Sequence, residues 1–363
     1  MLNDPLGNTG VEVAIHSSIV TQQTTVTNRS VLSTAICDLL GCRYPILQAG
    51  MGGVARAELV AAVARAGAFG CLGMVRESPE RIRQEVEQVR SMTDQPFAVN
   101  LIPAATDAAL FDAELEECFR LKVPTMLFFW DVDRDAVKKA KDAGCVVVHQ
   151  VGTVEQAVIA AKAGADAIIA QGIEAGGHVH GEISSLVLLP QVVEAVAVPV
   201  IGSGGFGSGR SLVAALALGA QGIHCGTAFL ATKESYAHDV HKHKVVEASS
   251  GDTIHTDAFA INWPPHSPVR VLKSEATMAI EASPFGHNPA DLPRQQVAEE
   301  EGRPIYLMST DSPLRSMTGQ LDKLAMYAGQ VTGQIKQIAS VNSVVESMVQ
   351  EAEKTIRRLG ESQ

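Results

Sequence analysis

"CVVVHQVGTVEQAVIAAKAGADAIIAQG", residues 145–172, is the stretch from which the fold can be read. The valine-rich run at 145–151 reads as a buried strand. Thr153 then stands as an N-cap, with Glu155 early in the first helical turn and Gly164 as the stop. A second apolar run, AIIAQG (167–172), follows at once. Strand, helix and next strand thus fit one compact β/α unit.

The same unit recurs on both sides. Apolar runs at 45–49, 68–73, 97–102, 125–130, 198–204 and 222–226 join the two above to make eight. Helical segments lie between them, such as RAELVAAVARAG with Leu59, Val60, Val63 and Ala64 on one face. Eight repeats predict a (β/α)8 barrel in an α/β protein. A doubly wound sheet fits less well, because the first strand lacks a GxGxxG turn with an acidic residue about 20 positions on. After about residue 235 the rhythm breaks into a stretch rich in His, Pro, Ser and Asp, and helical periodicity returns after Leu314. The expected organisation is an N-terminal arm (1–35), the barrel (36–235), a lid or substrate region (236–315) and C-terminal helices that pack back on the barrel (316–363). The part beyond the barrel is expected to be a smaller α-rich region over its mouth.

Of the 363 residues, 46% are hydrophobic but only 4% aromatic, so the core must be aliphatic. The net charge of −11 argues against a nucleic-acid surface. No apolar run has transmembrane length and no secretory leader is evident, so a cytoplasmic protein without a membrane partner is expected. The six cysteines form no CxxC pair and read as reduced core residues. His238, His241 and His243 are close in sequence, yet a solvated helix face explains them better than a metal site, so no metal is expected. Arg270 and Lys273 fit either a surface or an anionic substrate.

In such a barrel the chemistry sits at the C-terminal ends of the strands. There the chain places Gly50, Met51 and Gly52, then Asn100, His149 and Gln150, and later Ser203, Gly204, Gly205, Cys225, Gly226 and Thr227. Glycines at the last two exits free backbone N–H groups to face an anion, beside helix N-termini. Ordinary tight turns are also glycine-rich, but these fall on the two strands where the fold holds phosphate. A phosphate gripped there suits flavin mononucleotide (FMN), with Asn100 and Gln150 at the ring edge or, alternatively, satisfying loop backbone. A thiol-nucleophile role for Cys225 has no partner base to support it.

These elements together resemble the nitronate monooxygenase family, FMN-dependent barrels related to FMN-dependent enoyl-acyl-carrier-protein reductases. The resemblance rests on PILQAGMGGV, FAVNL, QGIEAGGHVHG, PVIGSGGFGSG and GIHCGTAFLATKES. It implies oxidation of an alkyl nitronate or nitroalkane by O2 to a carbonyl compound and nitrite. It also admits NAD(P)H-dependent reduction of a quinone or enoyl thioester. It assigns His178 as the residue acting on substrate, with Gly176 and Gly177 letting the backbone approach the flavin. An imidazole titrating near neutrality suits a base or hydrogen-bond donor, though a loop histidine can also be satisfied by water. The run GGHVHG is one residue longer than the family pattern, so His180 is either a substrate contact or part of a longer loop. A homodimer is compatible with this reading.

Overall fold

The computed structural model describes residues 31–361, so the arm expected over 1–35 lies almost wholly outside the described residues. The described chain opens with α1 (Ala35–Leu40), β1 (Ile46–Gln48), α2 (Ala57–Arg65), β2 (Gly70–Gly73), α3 (Pro79–Met92) and β3 (Phe97–Leu101). It continues with α4 (Ala108–Arg120), β4 (Thr125–Phe129), α5 (Arg134–Asp142), β5 (Val146–Val151), α6 (Val154–Ala163) and β6 (Ala167–Gln171). After a two-residue β7 (Gly177–His178) come α7 (Ser185–Ala195), β8 (Val200–Ser203), α8 (Gly209–Ala217), β9 (Gly222–Cys225) and the short α9 (Thr227–Leu230).

Eight strands pair in parallel in the order β1-β9-β8-β6-β5-β4-β3-β2. A bridge between Leu47 and Phe69 joins the two ends and closes the (β/α)8 barrel. The caps read from sequence are present: Thr153 accepts from the Gln156 amide and Gly164 adopts φ +109°. Ser208 and Ser211 form a capping box that starts α8.

Alternation along the strands separates two cores. Residues such as Val99, Val147, Ile168 and Ile223 pack outward with the helices. Leu47, Ala98, Leu127, Val148, Ile169 and Ile201 instead join Ile36, Cys37 and Leu40 of α1 in a separate cluster. Two positions further on, the same rows carry Asn100, Gln150, Gln171 and Ser203, which line a cavity. Apolar below and polar above, the inward rows put the chemistry at the C-terminal rim.

Beyond the barrel the chain forms α10 (Asp239–Glu247), β10 (Thr253–Thr256), β11 (Val269–Leu272), α11 (Glu275–Met278), β12 (Gln296–Glu300), β13 (Arg303–Tyr306), β14 (Met317–Gly319) and α12 (Val341–Gly360). This region is not α-rich: it contains two antiparallel three-stranded sheets, β10-β11-β7 and β13-β12-β14. Prolines at 264, 265, 268, 284, 289 and 293 remove helical donors, and Glu301–Gly302, both at positive φ, make a tight hairpin turn. The helical pattern at 321–338 also yields only 3-10 turns, at Leu321–Lys323 and Gln330–Gln334. Between them Tyr327 bridges Val271 of β11 and the Leu272 amide donates to Met326 O. Pairing with the sheet edge outcompetes a helix that Gly329 and Gly333 already weaken. The amphipathic α12 packs on α8 and α2. Among the described residues no helix is long and apolar enough to cross a membrane.

Candidate active site

The barrel rim and the added sheets enclose a cavity of about 760 Å3. Its lining includes Gly50, Met51, Gly52, Asn100, Gln150, Gly176, Gly177, His178, Ser203, Gly204, Gly205, Gly226 and Thr227. The structure therefore brings nearly all the sequence-predicted residues to one wall system.

The glycine exits have the character of a cradle. Gly204 and Gly205 adopt φ +89° and +77°, a region L side chains avoid. The amides of Gly204, Gly205 and Gly226 donate to no protein acceptor among the described residues. Unpaired amides lining a cavity fit an anionic group such as a phosphate. Thr227 Oγ1 accepts from the Gly329 amide at 3.0 Å, tying the rim to the 325–329 segment. Among the described residues Gln150 has no side-chain hydrogen-bond partner, which leaves it open to a ligand. Asn100 is partly committed, because its Nδ2 donates to Leu127 O at 3.0 Å.

Two expected residues lie elsewhere. Cys225 does not line the cavity: alternation along β9 turns His224 inward and Cys225 into the aliphatic core, where burial pushes its thiol up to about 12. His180 is also outside the lining. Its Nε2 lies 3.0 Å from Gln156 Nε2 and 3.7 Å from Asp131, with its ring edge-on to Trp130. It secures the loop rather than facing the cavity. His149 points outward too, against Phe128.

The loop that carries His178 is fixed from several sides. Its residues 177–178 add as β7 to the edge of β11, with His178 opposite Val269. Gln171 Nε2 donates to His178 O at 3.0 Å. Arg270, buried on β11, donates from Nη2 to Ile173 O at 2.9 Å, so it clamps the loop instead of meeting substrate. Lys273 is exposed, 3.8 Å from Glu281. Glu174 accepts from the Ser185 amide and hydroxyl. A Cβ on Gly176 would fall 2.4 Å from Gly329 N, so the close backbone approach requires glycine.

Around His178 stand Trp263, Trp130 and Tyr327, the last with ring centroid 5.9 Å away. Its Nε2 is buried without a hydrogen-bond partner among the described residues. Burial first, and then the positive charge of Arg76, hold its pKa well below the usual histidine value. The imidazole is therefore neutral at pH 7, able to take a proton or donate one hydrogen bond. Three residues near it hold left-handed backbone without being glycine: Trp130 at φ +81°, Asn262 at +78° and Arg76 at +59°. Such strain gathers at functional sites.

The histidines of α10 do not converge. His241 is buried, its Nε2 3.0 Å from Tyr327 O, so it anchors the segment that carries Tyr327. His238 caps the helix and His243 is bonded to Asp239 O.

Comparison with known proteins places the chain in a family. Residues 33–351 match the nitronate monooxygenase family. A Rhodococcus jostii protein named (3aS,4S,5R,7aS)-5-hydroxy-7a-methyl-1-oxo-octahydro-1H-indene-4-carboxyl-CoA dehydrogenase is 32% identical, over 91% of this chain and 99% of its own. A probable nitronate monooxygenase of Bacillus subtilis is 36% identical over 60% of this chain and 74% of its own. Among solved structures, FabK from Thermotoga maritima superposes with a TM-score of 0.78 at 32% identity, covering 91% of this chain and 99% of that one. The nitroalkane oxidase of Streptomyces ansochromogenes gives 0.75 at 29%, covering 90% and 100%. With the family match running through both the barrel and the sheets that cover it, the chain belongs to the nitronate monooxygenase family of flavin oxidoreductases.

Proposed function

We propose that the protein oxidises alkyl nitronates with O2, using FMN held by the glycine exits of β8 and β9. The observation that carries this reading is a neutral, desolvated His178 on the same cavity as a set of unpaired backbone amides. The amides of Gly204, Gly205 and Gly226 would bind the phosphate, and Gln150 would hydrogen-bond the ring. When bound, the flavin supplies one- and two-electron redox chemistry. The protein's own part is positional. His178 donates to a nitro oxygen, or removes the α-proton when the neutral nitroalkane enters. Trp263, Trp130 and Tyr327 keep water from the imidazole.

A second reading, oxidoreduction of a thioester, is favoured by the relatives that match along nearly their whole length. The volume of the cavity is compatible with a bulkier acyl group. One experiment separates the two. The purified yellow protein is mixed anaerobically with propyl-2-nitronate, and separately with NADH. Bleaching by the nitronate alone, with nitrite released on admitting O2, is the expected result. Bleaching by NADH alone overturns nitronate oxidation in favour of the reductase.

A further inference from the structure

Arg76, three residues beyond the end of β2, lines the cavity with His178 and Trp263. It adopts φ +59°, an uncommon state for a residue with a side chain. Its guanidinium crosses from the barrel to the covering region, donating to Asn262 O and, at 3.4 Å, to Thr310 Oγ1. Both partners are neutral, and no carboxylate lies within ion-pair distance of it among the described residues. Arg303, on the same cavity, differs: Glu300 and Asp311 neutralise it at 2.8 and 3.0 Å. Glu114 lies fully buried beside the Arg76–Glu77 backbone and feels the charge of Arg76, but burial outweighs that attraction and pushes its pKa up to about 8.

A left-handed backbone that holds a guanidinium with no carboxylate partner on a cavity wall suits a site that an anion completes. We propose that Arg76 is the anion-recognising residue of the site, holding the negative charge of a nitronate, or of a carboxylate of the same shape, within reach of His178. The assignment rests on the nitronate reading for its substrate, but the anion preference is testable without turnover.

The test uses holoenzyme and two matched probes, isobutyrate and isobutyramide, which share a shape and differ in charge. Binding is read from perturbation of the flavin spectrum. The wild type is expected to favour isobutyrate. Arg76→Met should weaken isobutyrate by roughly tenfold or more, the usual worth of one charged hydrogen bond, and leave isobutyramide within twofold. Arg76→Lys should recover part of the preference. Arg76→Gly removes the charge and relieves the φ strain, so it should lose isobutyrate binding while its Tm stays level or rises. Equal affinities of the wild type for both probes, or equal losses of both in Arg76→Met, would overturn the proposal. If nitronate fails to bleach the wild-type flavin while isobutyrate binding still depends on Arg76, the reaction reading fails and the anion site stands.

Discussion

The imidazole of His178 lies face to face with the indole of Trp263, ring centroids 3.3 Å apart and planes 16° from parallel. One face of the imidazole is thereby closed to water. The stack and the burial act together: a dry ring cannot hold a charge, so the neutral form persists well below the usual histidine range. A base works in its neutral form, so activity that depends on His178 should stay flat from about pH 8 down through 6.5. Trp263→Ala lets water reach the ring. The pKa should rise toward 6.5, so the acid-side fall of kcat/KM should begin at higher pH than in the wild type. A pH profile that does not move would separate Trp263 from the titration of His178.

Removing the imidazole tests its role directly. His178→Ala should lower kcat by about 10²–10⁴, the usual worth of a positioned acid or base. Flavin content should be unchanged, because the amides proposed to hold the phosphate, those of Gly204, Gly205 and Gly226, lie on the glycine exits of β8 and β9. Normal turnover by this variant would remove the catalytic assignment.

Gly176 and Gly177 are adjacent yet constrained by different physics. A methyl on Gly176 meets backbone of Gly329 and Ala328 at 2.4 and 2.5 Å, neither of which can rotate away. A methyl on Gly177 meets nothing within 4 Å, and only its φ of +75° resists the change. Gly177→Ala should therefore cost about 1–2 kcal/mol in urea unfolding and keep most activity. Gly176→Ala must displace the loop. It should cost more and lower kcat/KM by at least tenfold. Equal effects of the two would show that the contact with 328–329 does not position His178.

Much of this site was legible because a parallel barrel turns sequence position into height. Once the eight runs are marked, Asn100, Gln150, Ser203 and the glycines that follow fall at the rim by counting. Cys225 was misplaced because the side alternates at each residue, so its neighbour His224 takes the inward position. Gln171 ends β6, and a polar residue closing an aliphatic run is the same signal that marks Gln150. The exits of β2 and β4 carry Arg76 and Trp130, and the strand-end rule applied there would have reached both. Trp263 had no such signal. It sits in WPPHSP, whose prolines predict a loop but not where the loop lies. Its position depends on long-range pairing of β11 with β7, which no local pattern encodes.

Histidines held neutral by burial make stability depend on pH, and three of them are the clearest. Burial holds His149, His224 and His241 at about 4, against 6.5 in the unfolded chain. Among the described residues the buried Nε2 atoms of His149 and His224 have no acceptor for a second proton. Between pH 6.5 and 4 the unfolded chain takes up protons that the folded chain refuses. Stability is therefore full above 6.5 and falls as pH drops through this window, by about 1.4 kcal/mol per pH unit for each histidine. Carboxylates titrate in part of the same range, so the comparison that isolates the effect is with His241→Gln, whose amide can still bond Tyr327 O. Urea midpoints at pH 7.5, 6.5 and 5.5 should show the variant losing about one histidine's share less than the wild type. Parallel curves would mean that His241 takes up its proton alike in the folded and unfolded chains, and would overturn the assignment.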